Sequence, residues 1–139
     1  MAHRSASSDP DERTNARERA LHLLYEAEVK GASPVEVLRS QVIEVDDLTR
    51  LIVEGVAGDC EILDEQISEH LVGWTLTRMP LIDKCVLRMA TFELRSRIDT
   101  PPAVIMNEAV ELAKRFSTDD SPRFINGVLA VLAREIRPN

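Results

Sequence analysis

Apolar residues along this chain recur at three- and four-residue intervals, and no strand pair or hairpin turn can be read from it. From about Glu12 to Val29, Ala16, Ala20, Leu23, Leu24 and Ala27 share one face at helical spacing, with Gly31 as a C-terminal stop. Ser33-Pro34-Val35-Glu36 has the form of a capping box with proline at the first helical position. It predicts a short helix carrying Val35, Leu38 and Val42. A longer helix follows from about Asp47 to Val72. Its apolar stripe is Leu48, Leu51, Ile52, Val56, Ile62, Leu63, Ile67 and Leu71, with acids on the other face. Gly55 and Gly58 inside it cost helix propensity, and close approach of a neighbouring helix would explain both.

Pro80 opens a fourth helix over about residues 80–97, with Ile82, Val86, Met89 and Phe92 or Leu94 facing inward. Thr100-Pro101-Pro102 ends it and begins another, whose inward face is Ile105, Ala109, Leu112 and Phe116. Asp120 or Ser121 caps the last helix, with Pro122 in its first turn, Ile125, Val128, Leu132 and Ile136 as its stripe, and Pro138 beyond its end. Asn126-Gly127 would signal a hairpin elsewhere, but the flanking helical periodicity places that glycine inside a helix. The expected fold is all-α, with about six or seven helices. A disordered tail over residues 1–11 precedes one domain over 12–139, made of two sub-bundles over about 12–78 and 79–139.

Composition narrows this picture. At 139 residues the chain is long enough to bury roughly two-thirds of its unfolded surface in one core. Aromatics are only 4% of residues, so that core is aliphatic, which favours helix on helix over a β-sandwich. Cys60 and Cys85 sit in no metal-ligand or CxxC spacing and read as reduced thiols in a cytoplasmic protein. No apolar run approaches the roughly 20 residues of a membrane span. The net charge of −7 argues against phosphate binding, yet it is concentrated in one stretch. Residues 26–80 carry four bases and twelve acids, whereas 1–25 balance at four each and 81–139 hold nine bases and eight acids.

Catalytic and cofactor chemistry is not visible. His3, His22 and His70 are far apart in sequence and lack a carboxylate or cysteine partner at ligand spacing. There is no glycine-rich phosphate loop, nucleophile elbow or Cys–His pairing. Acid pairs such as Asp46-Asp47 and Asp119-Asp120 mark helix starts or solvated faces. The chain is therefore expected to be no enzyme, with no metal and no cofactor.

Three stretches together resemble the NusB family. The first is Ala16-Arg17-Glu18 with Ala20 and Leu23-Leu24-Tyr25-Glu26. The second runs from Asp83 to Leu94, DKCVLRMATFEL. The third is IMNEAVELAKRF over 105–116, then Asp120-Ser121 and Phe124-Ile125-Asn126-Gly127-Val128-Leu129. The resemblance covers about residue 12 to the C-terminus. It implies two helical bundles packed at a steep angle and an adapter in transcription antitermination. Such an adapter binds the boxA element of leader transcripts, including those for ribosomal RNA. It does so with NusE, a protein of the small ribosomal subunit, and carries it to elongating RNA polymerase with other Nus factors.

On a helix, Arg13, Arg17, Leu21 and Tyr25 are successive i+4 neighbours along one edge, where two guanidinium groups and a phenol suit phosphates and a stacked base. Taken alone, that pattern favours Arg17 pairing with a nearby acid and Tyr25 packing at the core margin. The resemblance turns the arginines toward RNA. At the start of the last helix, Arg123 adds charge and Phe124 a stacking face, with core packing the alternative for Phe124. Asp120 works against an anion there unless it caps the helix or accepts from a base edge. Arg4, Arg19, His70 and Lys114 complete the RNA-binding candidates. For NusE the resemblance points to the helix beginning near Pro80, with Asp83 and Glu93 as its acidic candidates and a solvated charge as the alternative for each. Family members carry a dense arginine run before the first helix. Here Arg4, Arg13, Arg17 and Arg19 are interrupted by Asp9, Asp11, Glu12 and Glu18, which weakens phosphate attraction. The sparse arginines leave a second reading, a homodimeric protein scaffold with little RNA binding of its own. A third, the RNA-binding part of an RNA cytosine methyltransferase, is set aside because no cofactor-binding βαβ pattern appears before Asn139.

Overall fold

The computed structural model describes residues 9–73 and 75–138. Among them the chain forms six helices and no strand: α1 (Pro10–Lys30), α2 (Pro34–Arg39), α3 (Asp47–Ser68), α4 (Leu81–Ser96), α5 (Pro102–Phe116) and α6 (Ser121–Ile136). Of the expected tail, residues 1–8 lie outside the described residues, and α1 begins two residues before Glu12. Its early start has a local cause. Asp9 accepts from the Asp11 N–H, Pro10 occupies the first helical position, and Asp11 and Glu12 face the positive end of the helix dipole. At the other end Gly31, at φ 66°, donates to the carbonyls of Ala27 and Glu28.

The capping box at Ser33 and Glu36 forms as expected. The helix it starts stops at Arg39, because Ser40 Oγ and Gln41 Nε2 both donate to the Val37 carbonyl and end the ladder there. Val42 therefore lies outside α2 and is fully exposed, not part of its inward stripe. Asp46 caps α3 through the Thr49 N–H. That helix ends four residues before Val72, and its Leu51 and Ile62 sit about half exposed at the margin of the buried stripe.

α4 is the central helix, in contact with α1, α3, α5 and α6. Ten of its sixteen residues are buried. The core runs through Leu21, Leu24, Ile52, Leu63, Ile67, Leu87, Leu94, Ile105, Ile125, Leu129 and Leu132, almost all aliphatic. Arg88 fastens α4 to its neighbours through a two-pronged bond to Asp64 of α3, both at 2.7 Å, and a third to Glu28 of α1 at 3.2 Å. At the other end of α4, Arg137 donates to the carbonyls of Glu93, Leu94, Arg97 and Thr100, adding to the backbone N–H bonds that Glu93 and Arg97 already accept and giving those of Leu94 and Thr100 a donor.

Of the glycines, only Gly55 answers to the close approach expected of it. A Cβ there would overlap the ring of Phe92 on α4, whereas Gly58 and Gly127 face open space. Gly55→Ala should therefore lower stability by about 1–3 kcal/mol through overpacking. Gly58→Ala should raise it by about 0.5–1 kcal/mol through helix propensity. Opposite shifts of the urea midpoint for the pair would confirm the assignment, and equal shifts would refute it.

Both cysteines are unpaired, Cys85 buried and Cys60 partly so. Burial pushes the Cys85 thiol up to about 12 and also raises that of Cys60. Native protein at pH 8 should alkylate slowly at Cys60 and not at Cys85 until unfolded, as peptide mass analysis would show. Because the folded state holds the Cys85 proton more tightly than the unfolded chain, this thiol's contribution to stability is lost as pH rises from about 9 toward 12. No described helix is long and apolar enough to cross a membrane.

Candidate nucleic-acid interface

The α1 edge picked out by i+4 spacing dips into the protein at its middle. Leu21 is fully buried and Arg17 is 3% exposed, while Arg13 is half-buried and Tyr25 is 39% exposed. Arg17 shares its face of α1 with Ala16, Ala20 and Leu24, so the winding that lines the arginines up also turns this one into the core. There it meets Glu93 of α4 in a two-pronged ion pair, Nε–Oε2 2.8 Å and Nη2–Oε1 2.9 Å, with Glu108 of α5 at 3.3 Å. Thr14 Oγ1 donates to the same Glu108 carboxylate and Arg97 to Glu93, which closes the network. Burial works against the Arg17 charge, but the hydrogen bonds and charges of Glu93 and Glu108 outweigh it and raise the pKa.

Three expected contacts are thereby corrected. Arg17 has no face left for phosphate, and Glu93, at 2% exposure, has none for a partner protein. Asp83 is equally buried, accepting from Ser117 Oγ at 2.6 Å and Ser121 Oγ at 2.9 Å. These carboxylates were legible as charges on helices; that three elements converge over them was not. Asp83 instead fixes the turn between α5 and α6, where Ser121 Oγ also accepts from the Thr118 N–H.

Beside that turn opens a cleft of 530 Å³, walled by Met79, Pro80, Asp83, Asp120, Arg123 and Phe124, among others. Asp120 stands at the N-cap of α6 without capping it through its side chain, so its exposed carboxylate is open to an outside donor. Arg123 is exposed and Phe124 is half-buried and packed against the core. A guanidinium, an aromatic face and an acceptor thus flank the N-terminus of a sixteen-residue helix, a combination suited to a nucleotide. Here sequence and structure bring Asp120, Arg123 and Phe124 together.

The other candidates scatter. Lys114 is exposed in the last turn of α5, and Arg4 lies outside the described residues. Arg19 donates to Gln41 and the Ile43 carbonyl, holding the α2–α3 connection. Arg13 lines a shallow cleft with Glu12, Asp46 and Asp47, an acidic setting for a phosphate contact. His70 is paired with Glu135 in the last turn of α6. Arg123 and Glu135 are twelve residues apart on that helix, roughly 18 Å along its axis, so His70 belongs to a different region from the α5–α6 cleft.

Sequence reasoning also passed over an exposed group between α1 and α5. Arg115 lies 4.7 Å above the Phe116 ring and donates to Glu18 at 2.7 Å, while His22 meets Phe116 edge-on at 5.1 Å. The Arg115 hydrogen bond is the main reason the Glu18 pKa is lowered. The adjacent Arg115-Phe116 in the sequence was the available signal.

Comparison with known proteins bears on what this surface is. The sequence profile of the NusB family matches residues 14–134. The transcription antitermination protein NusB of Saccharopolyspora erythraea is 48% identical over 127 residues, covering 87% of this chain and 86% of the relative. The protein of the same name from Streptomyces coelicolor is 43% identical over 136 residues, 91% of this chain and 95% of the relative. Among solved structures, NusB of T. maritima superposes with a TM-score of 0.82 at 31% identity, over 88% of this chain and 91% of its own. A NusB solved with NusE and double-stranded RNA shares the fold, with a TM-score of 0.78 at 24% identity over 91% and 99% of the two chains. With its six described helices and residues 14–134 so matched, this chain belongs to the NusB family, whose relatives here are transcription antitermination proteins.

Proposed function

We propose that this chain is an RNA-binding adapter in transcription antitermination. It takes up boxA-containing leader RNA, including that of ribosomal RNA operons, together with NusE, and brings them to elongating RNA polymerase. The observation that carries the reading is the α5–α6 cleft, where Asp120, Arg123 and Phe124 converge on the start of α6 in a chain of NusB sequence. That a NusB of the same fold was solved with NusE and double-stranded RNA supports the partners. Tyr25 and Lys114 are exposed and stay secondary candidates for contact with a single strand, away from the residues that wall the cleft.

An overall charge of −7 sets the energetics of such binding. Few phosphates are neutralised, so stacking and base-edge hydrogen bonds carry more of the affinity, and NusE adds the remainder. Binding of a fluorescent boxA leader RNA, with and without NusE and at two salt concentrations, tests this. The expected result is weak binding alone, a shallow salt slope and marked tightening with NusE. No binding to RNA or NusE under any of these conditions would refute the adapter and favour a protein scaffold.

A further inference from the structure

We propose that Glu69, His70 and Glu135 form a binding site for one divalent zinc-class ion, joining the C-terminal end of α3 to the last turn of α6. The His70 Nε2 and a carboxylate oxygen of each glutamate all lie within 4.8 Å of one another. Glu69 is the residue that ends α3, His70 follows it, and Glu135 comes from an element 65 residues away, on a helix that packs against α3. That separation is why the histidine showed no ligand partner in the sequence.

The donor set has a chemical meaning. One imidazole nitrogen and two carboxylate oxygens suit zinc, at bond lengths of about 2.0–2.2 Å, with water completing a tetrahedron. A nitrogen donor selects against magnesium and calcium, which take oxygen. The site is also charged for a cation: neither Glu69 nor Glu135 is in an ion pair with a lysine or arginine among the described residues. His70 is the fixed member, its side chain 23% exposed and its Nε2 already against the Glu135 carboxylate. Both glutamates are exposed, so their carboxylates can swing the short way needed to close on the ion.

Zinc binding to the folded chain stabilises it in proportion to the logarithm of free ion over Kd. Titration calorimetry of the full chain with zinc chloride should give one saturable site, and magnesium chloride none. His70→Ala and Glu135→Gln should each weaken zinc binding about tenfold or more. His22→Ala and Cys60→Ser, which lie outside the site, should leave it unchanged. Zinc should raise the melting temperature of the parent protein by more than that of the surface variant Glu135→Gln at the same free ion. No zinc binding by the parent protein, or binding that survives both His70→Ala and Glu135→Gln, would overturn the proposal.

Discussion

Arg17→Ala should cost the fold about 3–5 kcal/mol, because it strips a buried carboxylate of its two-pronged partner. Glu93 would keep only Arg97, which approaches from the more exposed side, and Glu108 would keep only the Thr14 hydroxyl. For a chain of this size the loss corresponds to a drop in melting temperature of roughly 10 °C or more. Glu93→Ala should do comparable damage by leaving the Arg17 guanidinium buried with Glu108 alone. The informative variant is the double one. Replacing both by apolar residues, Arg17→Met with Glu93→Leu, removes both buried charges together and should recover much of the loss. Additive damage in the double variant, measured by thermal melting, would show that the pair does not act as a unit. In RNA binding, Arg17→Met with Glu93→Leu should behave like the parent protein, since neither side chain is at the surface. A selective loss of RNA affinity in a folded double variant would return Arg17 to the interface.

The largest effect on binding is expected at Phe124. Stacking of an unpaired base on an aromatic ring contributes about 1–3 kcal/mol, so Phe124→Leu should weaken boxA binding between about 5- and 150-fold. Leucine rather than alanine is the choice because Phe124 is half-buried against the core, and an aliphatic side chain keeps that packing. Arg123→Glu should weaken binding as well, but in a manner that depends on salt, since it removes a phosphate attraction and adds a repulsion. The two variants therefore separate by salt dependence: a shift for Phe124→Leu with an unchanged slope, and a change of slope for Arg123→Glu. Fluorescence anisotropy at two ionic strengths distinguishes them. If Phe124→Leu binds as the parent does, the ring is core packing and the cleft is not a base site.

Helix existence was legible throughout, because each helix carries a stripe of aliphatic residues at helical spacing and a local start signal. The failures lie where a side chain rather than the pattern decides. Pro10 could not be placed inside α1 without noticing that Asp9 caps it. Val42 fits the α2 period but falls beyond the point where Ser40 and Gln41 take the Val37 carbonyl. The candidate site was legible where its members are neighbours in sequence, as with Asp120, Arg123 and Phe124 at the N-cap and in the first turn of one helix. It was misread where function was assigned to charges. A charged residue on a helix is usually solvated, but α4 is covered from several sides, so Asp83 and Glu93 are interior groups matched by Ser117, Ser121 and Arg17. Periodicity gives the face a residue occupies on its own helix, not what packs onto that face from a segment 76 residues away.

The four carbonyls gathered by Arg137 impose an order on synthesis. Chains are made from the N-terminus, and domains begin to fold as they emerge. α4 can coil and collect its neighbours early, yet the Leu94 and Thr100 carbonyls must stay hydrated until Arg137, 43 residues after Leu94, has been made. A chain truncated just before Arg137 would thus keep all six described helices and still leave the central one to fray at one end.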